Sequence, residues 1–417
     1  MADPMRILVV ADRFPWPPTG GGQLRLAATI EALADGAALD FFFLSDKSAP
    51  EPVVPTAVTV SRVGCVPYPQ MARSWRWRAG WLARGGTPME VAVRRYDPLP
   101  AQVFASWTAD HYDLVWFNTL TTFAWLGRPR LGPTVVDLDN LESEKERQRG
   151  RLQRRSDPTT GVVGRFRQSA IRIQTAVNAG DWKGLERSAA RSVARVVLCS
   201  EVDVGRSGLD NAVVIPNTYR RPSRPLGRPQ VTGEPTILFQ GTLEYGPNVD
   251  AARWLARDLA PRIRARVPDT RIRLVGNTIA EVERLHHPPQ VTVVGRVPAM
   301  EQELARADLA VVPLRSGSGT RLKILESFAH RLPVVSTTLG AEGLDVEDGV
   351  HLLVADDADG FAAACERLLT DGDLRVRIAD AAEQHFLDRF AWPVVAERIR
   401  TLALDASGTG TRRQVED

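Results

Sequence analysis

The sequence predicts an α/β protein made of two doubly wound parallel-sheet domains that face a cleft. The chain has 417 residues, more than one hydrophobic core usually organises, so two domains are expected. Along most of it, short apolar runs alternate with segments of helical periodicity, which is the pattern of βα units in parallel sheets. This alternation breaks once, near Arg220, and then starts again.

The first domain is expected to span residues 1–219. Its candidate strands are continuous apolar runs rather than alternating ones, as is typical of strands buried on both faces of a parallel sheet. Between them, apolar residues recur at helical spacing over residues 24–33 and, more weakly, over 181–195. The strand candidates are residues 7–11, 40–44, 58–63, 114–117, 134–138 and 196–200.

A Pro- and Arg-rich linker is predicted at residues 220–232, because three prolines and a glycine fall within its first ten residues. The second domain is expected over residues 233–392. A last helix follows at 393–405, and the Ser-, Gly-, Thr- and Arg-rich residues 406–417 are predicted to be a disordered tail. The strand candidates are 236–240, 271–275, 291–294, 309–313, 333–336 and 352–354, and the helical patterns are 250–259, 299–305 and 361–369.

The net charge and the cysteines limit the class of protein. A formal charge of +3 is too small for a typical nucleic-acid binder, whose basic excess is larger and concentrated. Cys65, Cys199 and Cys365 are far apart and odd in number, so we expect neither a zinc site nor a disulfide framework, and a reducing cytoplasm. The first apolar run is too short for a secretory signal, and no run approaches the roughly 20 residues that span a bilayer.

Residues 145–195 are strongly basic, with 13 Lys or Arg against four Asp or Glu. The ordinary interpretation is a solvated helical region in an Arg-rich chain. The alternative is a basic surface that contacts anionic membrane at its inner face or a phosphate-bearing acceptor. Both interpretations stay open at this stage.

The most informative stretch is residues 313–330, where a strand is followed by a Gly/Ser loop and a helix. The predicted buried stripe of that helix consists of Leu322, Leu325, Phe328 and Ala329. The preceding loop residues then lie at the helix N-terminus, where free backbone N–H groups and the helix dipole favour an anion. The residues in this position are Ser318, Gly319 and Thr320.

The neighbours of this loop have the chemistry of a nucleoside-diphosphate site. Gly317 and Gly319 let the backbone approach a diphosphate closely, although a plain turn before a helix is the alternative. Arg321 and Lys323 add positive charge, so the cradle requires no metal. Glu326, one turn after Leu322, can accept hydrogen bonds from both hydroxyls of a ribose, unless it is an ordinary surface glutamate.

With these residues in view, the stretch from about 236 to 392 resembles the C-terminal donor domain of the GT-4 family of retaining glycosyltransferases. It is most similar to the subgroup in which the sequence of this loop is G-S-G-T-R-[IL]-K-x-[LV]-E. The other matching pieces, in order, are Phe239-Gln-Gly-Thr-Leu243, Pro247-Asn-Val249, Leu274-Val-Gly276, Val294-Gly-Arg-Val297, Pro333-Val-Val-Ser-Thr337, Glu342-Gly-Leu344 and Gly349-Val-His-Leu-Leu353.

The resemblance implies the GT-B fold, two Rossmann-like domains, with a last helix that packs back on the first domain. It implies that residues 318–323, Leu322 included, bind the donor diphosphate, that Glu326 binds the ribose, and that Arg321 and Lys323 stabilise the leaving group. The loop of Gly295, Arg296 and Val297 would hold the base, and Gly241 and Thr242 would face the phosphates and the sugar.

The first domain resembles the family less tightly. A strand at 7–11 leads into a loop and a glycine run, and by resemblance Gly20, Gly21 and Gly22 touch donor phosphate or sugar, with a flexible turn as the alternative. Several aromatic residues could shape an acceptor pocket, although simple packing is the more common role of aromatics in such loops. They are Phe14, Trp16, Phe117, Phe123 and Trp125.

Three departures from the family pattern affect the site. Ser318 stands where many members have a second glutamate. The Arg…Lys pair that usually contacts the phosphates is missing from residues 241–248, and Arg321 and Lys323 could replace its positive charge. Many members also place a histidine after the fifth strand, where this sequence has Asp139 or Asn140. We predict Asp139 as a catalytic residue that accepts a hydrogen bond from a sugar hydroxyl; acceptor binding by Asp137 and Asp139 is the alternative.

The predicted function is transfer of a sugar from a nucleoside-diphosphate sugar to a glycan, lipid-linked or small natural-product acceptor, with retention of configuration. The nucleotide-sugar is a substrate, and neither a cofactor nor a metal is expected. The alternatives are a nucleotide-sugar-binding protein without transferase activity and a 2-epimerase-like enzyme, against which the Ser-Gly-Thr-Arg-Leu-Lys run argues. No G-x-G-x-x-G follows residues 7–11, so a dinucleotide oxidoreductase is disfavoured.

Overall fold

The structure, a computed structural model, describes residues 4–18, 20–46, 52–69, 74–156, 162–223, 233–317 and 321–408. Three predicted donor residues, Ser318, Gly319 and Thr320, lie outside this part of the chain, as do most of the predicted linker and the last nine residues of the predicted tail. The chain divides into two compact units. The first comprises Met1–Pro216 with Ala396–Asp417, and the second comprises Asn217–Val395.

The first unit contains a seven-stranded sheet in which every neighbouring pair is parallel, in the order β3-β2-β1-β4-β5-β6-β7. Its central strands are buried on both faces, which explains why their apolar residues run on without alternation. The strands are β1 (Met5–Ala11), β2 (Ala37–Ser45), β3 (Arg62–Pro67), β4 (Leu114–Phe117), β5 (Thr134–Asp139), β6 (Arg195–Leu198) and β7 (Ala212–Val214).

Helices connect these strands on both faces of the sheet, with a short 3₁₀ turn at Val93–Arg95. They are α1 (Gly21–Ala34), α2 (Trp75–Arg84), α3 (Met89–Ala92), α4 (Leu99–Trp107), α5 (Leu120–Trp125), α6 (Glu142–Ser156), α7 (Val162–Ala190) and α8 (Glu201–Ser207). The predicted weak helix at 181–195 is the end of α7.

One strand prediction in this unit is wrong, and one strand was not predicted. The strand expected at 58–63 begins four residues later, because Val58 is buried within a turn, where its N–H donates to the carbonyl oxygen of Pro55, and the edge strand β3 is largely exposed. β7 escaped detection, since its three residues are only partly buried and form too short an apolar run.

The second unit contains a six-stranded sheet, again parallel throughout, in the order β10-β9-β8-β11-β12-β13. All six strands lie where the sequence predicts them, to within one residue at either end. They are β8 (Thr236–Gln240), β9 (Arg271–Val275), β10 (Val291–Gly295), β11 (Leu309–Val312), β12 (Val334–Ser336) and β13 (Leu353–Val354).

The helices of the second unit pack against this sheet, and buried residues of helices and strands form one hydrophobic core. The predicted helix 250–259 ends in a π-helical turn at Leu255–Leu259, two residues before Pro261, which has no N–H to continue the α-helical ladder. The helices are α9 (Gly246–Trp254), α10 (Ala260–Arg266), α11 (Ala280–Glu283), α12 (Met300–Arg306), α13 (Leu322–Ala329), α14 (Thr338–Ala341), α15 (Ala358–Thr370) and α16 (Gly372–Arg389).

The last helix, α17 (Trp392–Ser407), extends two residues beyond its predicted end at 405. Its apolar stripe, Val395, Ile399 and Leu402, is buried, as its spacing indicates. Residues from Ala396 onward belong to the first unit, and Arg400 lies 3.4 Å from the carboxylate of Asp35 there. None of the helices in the described ranges combines the length and the apolar character needed to cross a membrane.

Candidate functional site

The carboxyl edge of the second sheet brings together two loops that are far apart in sequence. At the neighbouring strands β8 and β11 the strand order reverses, and open α/β sheets bind ligands at such a point. The loop after β8 starts at Gly241, and the loop after β11 leads into α13. Leu325 and Phe328 anchor α13 in the core, which leaves Lys323 and Glu326 as a charged pair of positions one turn apart.

Lys323 is held against neutral partners. Its Nζ donates a hydrogen bond to Asn248 Oδ1 at 2.8 Å and lies 4.5 Å from the centre of the Phe239 ring. Burial and the nearby charge of Arg321 lower the pKa of the Lys323 ammonium to about 7, and Glu326 partly opposes this shift. An anion bound beside Nζ would therefore favour its protonated form.

Two glycines near Lys323 allow other atoms to approach the backbone closely. Gly241 has φ +146°, and a Cβ there would lie 3.1 Å from both Lys323 Nζ and Asn248 Nδ2. Gly276, at the end of the neighbouring strand, has φ +137°, and a Cβ there would lie 1.8 Å from the carbonyl oxygen of Gly241. Thr242 is exposed, and its carbonyl oxygen accepts a hydrogen bond from Asn248 Nδ2 at 2.9 Å.

Glu326 is partly buried, and both of its carboxylate oxygens are engaged. Tyr219 Oη donates to Oε1 at 2.9 Å, and Gln240 Nε2 donates to Oε2 at 2.9 Å. Burial raises the pKa of Glu326 above its ordinary value, and these two hydrogen bonds and the charge of Lys323 only partly oppose the shift. The interpretation of Glu326 as an ordinary surface glutamate is therefore wrong.

Arg321 directly precedes α13 and points into the protein. It is 8% exposed, and its Nη2 donates to the carbonyl oxygen of Gly317 at 2.7 Å, so its guanidinium fixes the end of the glycine loop. Leu322, predicted as part of the buried stripe, is only partly buried and packs against the core, while Ile324 is fully buried.

The loop predicted to hold the base follows β10. Gly295 has φ +79°, and its carbonyl oxygen accepts a hydrogen bond from the backbone N–H of Gly276 at 2.9 Å, which places this loop beside the end of β9. Arg296 is exposed, and Val297 is partly buried against the core. The structure thus brings four of the predicted donor segments to one sheet edge.

In the first unit, the glycine run begins α1. Gly20 is the N-cap residue and offers no side chain to the first backbone N–H groups, and a Cβ at Gly20 or Gly22 would meet no atom within 4 Å. The space that a side chain would fill at Gly20 and Gly22 is therefore open, and Gly21 is exposed. Their contact with a donor phosphate stays a prediction.

The two acidic residues at the end of β5 have different environments. Asp137 is fully buried, and its oxygens accept hydrogen bonds from Arg25 Nε at 2.8 Å and Nη2 at 2.9 Å, so its proposed role in acceptor binding is wrong. Asp139 has φ +55°, and its Oδ2 accepts a hydrogen bond from Asn140 at 2.9 Å. Asp139 Oδ1 is buried and has no hydrogen-bond partner within the described residues.

The aromatic candidates for an acceptor pocket also separate into two groups. Phe117 and Phe123 are core residues, at most 2% exposed, so they line no acceptor pocket. Phe14 and Trp16 are partly exposed and pack edge to face at 5.5 Å. Trp125 is partly buried, and its indole N–H donates to the carbonyl oxygen of Glu90 at 2.8 Å.

The described beginning of the basic segment carries balanced charge. Each cation in the first two turns of α6 pairs with a glutamate three residues before it, which favours the ordinary interpretation for these turns. The pairs are Lys145–Glu142, Arg147–Glu144 and Arg149–Glu146. The side chains of residues 151–168 lie outside the described part.

Three residues of the second-unit site were not assigned a role from sequence: Tyr219, Gln240 and Asn248. Asn248 falls in a segment that carries the family resemblance, so a signal for it existed. Gln240 also falls in such a segment, although its hydrogen bond to Glu326, 86 positions away, is not visible in a local pattern. Tyr219 lies outside these segments and contacts Glu326 from 107 positions away, a range that no local pattern reports.

Part of the chain matches known proteins. Residues 234–371 match the family described as Glycosyl transferases group 1. A phosphatidyl-myo-inositol mannosyltransferase of Mycolicibacterium smegmatis is 31% identical over 192 residues, 43% of this chain and 47% of that protein. A D-inositol 3-phosphate glycosyltransferase of Corynebacterium aurimucosum is 31% identical over 220 residues, 48% of this chain and 50% of that protein. The chain spans about half the length of these curated relatives.

Solved structures resemble the chain over nearly its whole length. Sucrose-phosphate synthase of Thermosynechococcus elongatus superposes with a TM-score of 0.69 at 16% identity, over 97% of this chain and 100% of that one. Anabaena HepE, solved in complex with UDP and glucose, gives 0.59 at 18% identity, over 95% and 99%. The predicted α/β class is confirmed: the chain has the GT-B fold, and residues 234–371 match the glycosyl transferases group 1 family.

Proposed function

We propose that the chain is a glycosyltransferase that moves a sugar from a nucleoside-diphosphate sugar to a glycan, lipid-linked or small natural-product acceptor. The observation that carries the proposal is the arrangement of Lys323 and Glu326, one turn apart on α13 beside the close backbone at Gly241. A cation and an oriented carboxylate are the two groups that a diphosphate and a ribose require. HepE, which shares the fold, is a complex with UDP and glucose, which supports this class of donor.

In this proposal Lys323 acts on the leaving group. Negative charge grows on the diphosphate as its bond to the sugar breaks, and an ammonium fixed beside it lowers the barrier because it is bound more strongly in the transition state. Arg321 contributes charge and holds the glycine loop through its bond to Gly317. Resemblance of the loop to retaining enzymes supports transfer with retention of configuration.

Asp139 is proposed to accept a hydrogen bond from a sugar or acceptor hydroxyl. Its unpartnered Oδ1 is suited to this, since a buried carboxylate oxygen without a donor is costly and a ligand hydroxyl would supply one. Because Asp139 stands where many relatives have histidine, a nucleotide-sugar-binding protein without transferase activity is the second candidate.

Thermal unfolding with UDP, GDP, ADP and dTDP tests the donor site. A diphosphate that binds the folded state raises the melting temperature, and we expect Lys323→Met and Glu326→Gln to abolish the shift. The matched controls Lys183→Met and Glu366→Gln, in other parts of the chain, should keep it. Well-folded protein that shows no shift with any diphosphate would contradict the proposal.

Turnover separates the two candidate functions. The nucleotide-sugar of the base that binds is incubated with the protein, and release of the free diphosphate is measured with and without a panel of glycosyl acceptors. Release that depends on protein, and that Asp139→Asn lowers, supports the transferase. If the nucleotide-sugar binds but no diphosphate is released with any acceptor, the result supports a nucleotide-sugar-binding protein without transferase activity.

A further inference from the structure

Tyr219 is fixed at the start of the second unit. Thr218 Oγ1 donates a hydrogen bond to the carbonyl oxygen of Phe390 at 2.7 Å, and Tyr219 forms an isolated parallel bridge with Ala391. The backbone at this point is therefore held by a segment far along the chain. From it the Tyr219 side chain reaches Glu326 on α13, where its hydroxyl donates to Oε1.

Gln240 approaches the same carboxylate from a different element. It is the last residue of β8, is 4% exposed, and donates through Nε2 to Oε2 of Glu326. One neutral donor thus engages each oxygen, so the plane of the carboxylate is fixed from both ends. Each oxygen keeps a second lone pair, and the two together can accept from two vicinal hydroxyls.

The two donors also oppose the effect of burial on ionisation. Removal from water favours the neutral carboxylic acid, and hydrogen bonds to the carboxylate favour the charged form. A protonated Glu326 would present an O–H donor on one oxygen and would accept hydrogen bonds with fewer lone pairs and without a negative charge. Ribose recognition at this position therefore depends on groups that do not touch the ribose.

We propose that Tyr219 and Gln240 are positioning residues that keep Glu326 an ionised, fixed acceptor for the ribose hydroxyls and thereby set a preference for ribonucleotides over 2′-deoxyribonucleotides. This inference rests on the proposed function, because it takes Glu326 to be the ribose ligand.

Other charged groups act on the same carboxylate and must be kept constant in a test. Lys323 favours its charged form, whereas Glu301, near the start of α12, disfavours it. Arg321 acts on Lys323. His330, at the end of α13, is 2% exposed with its ring 6.2 Å from that of Tyr219, and burial lowers its pKa, which favours the neutral ring.

Calorimetric titration with UDP, GDP and their 2′-deoxy counterparts tests the inference. We expect the wild type to bind the preferred ribonucleotide about tenfold more tightly than its deoxy form, as one hydrogen bond to a charged group would provide. Tyr219→Phe and Gln240→Leu should each reduce this ratio to about threefold. Tyr96→Phe, which removes a hydroxyl bonded to Arg84 in the first unit, is the matched control and should keep the wild-type ratio.

A pH series distinguishes positioning from a merely structural role. Loss of the Tyr219 hydrogen bond raises the pKa of Glu326, so ribonucleotide binding by Tyr219→Phe should begin to weaken at a higher pH than in the wild type as the solution is acidified. The affinity for the deoxy form should follow the same course less steeply.

The outcomes separate this inference from the function on which it rests. If the wild type binds no diphosphate, both fall. If it binds and prefers the ribonucleotide, but the ratio and the pH profile are unchanged in Tyr219→Phe and Gln240→Leu, only the positioning role is overturned. Tighter ribonucleotide binding by Tyr219→Phe would also overturn it, because the hydroxyl would then occupy the place of a ribose hydroxyl.

Discussion

Each unit has charged side chains near the carboxyl edge of its sheet, but the groups that bind these side chains differ between the two units. In the first unit, Arg25 and Asp137 form a closed pair with two hydrogen bonds, and Arg25 Nη1 also donates to the carbonyl oxygen of Ile215 at 3.0 Å. In the second unit, Lys323 and Glu326 are held by neutral amide and phenol groups. The fold needs both partners of a closed buried ion pair, because removal of one leaves the other charge uncompensated. Charges with neutral partners instead keep a field that a ligand can neutralise.

The largest expected effect comes from breaking the closed pair. Asp137→Asn leaves the Arg25 guanidinium buried without its counter-ion, and we expect the free energy of unfolding to fall by about 3–5 kcal/mol. Lys323→Met, which removes a cation whose pKa is already lowered by burial, should change it by less than about 1 kcal/mol. Chemical denaturation of both variants measures the difference; equal losses would contradict the distinction between the two regions.

The close backbone crossing in the second unit gives a smaller effect. Gly276→Ala introduces a Cβ that overlaps the Gly241 carbonyl oxygen and forces an L-residue to φ +137°, so the loop after β8 must move. We expect a loss of about 1–3 kcal/mol in stability and a weaker thermal shift with a diphosphate. Gly22→Ala, where a Cβ meets nothing, is the control and should change stability little. Unchanged diphosphate binding by Gly276→Ala would separate this crossing from the donor site.

The smallest effect is a pH dependence that only the second region should show. Protonated Lys323 binds a diphosphate better than neutral Lys323, so affinity should fall as pH rises above its pKa of about 7. Between about pH 6.5 and 8.5 we expect UDP affinity, or that of the preferred diphosphate, to fall about tenfold in the wild type. Calorimetry of Lys323→Met at the same pH values should show no such slope; an equal slope in the variant would assign the titration elsewhere.

What the sequence predicts and what it misses follow from the range of the interactions. The strands of the second sheet and the loop before α13 are local patterns of burial and backbone geometry, and their positions agree closely with the structure. The assignment of Asp137 to an acceptor failed because its partner, Arg25, lies 112 residues away. Tyr219 has no local signature for the same reason, whereas Phe117 and Phe123 look alike in sequence whether they line a pocket or fill a core.

The crossing of Gly241 and Gly276 has a consequence for redesign of the protein. A side chain at Gly241 or Gly276 is strained by the positive φ of both residues, and a Cβ at Gly276 would also overlap the carbonyl oxygen of Gly241. Thr242, which follows Gly241, and Arg296, in the loop after β10, are nevertheless exposed. A mutant library meant to alter which sugar or base is accepted would thus keep the glycines constant and randomise their exposed neighbours. On the proposed function, such a library would vary the contacts with the donor while the backbone crossing, and with it the fold of this sheet edge, stays the same.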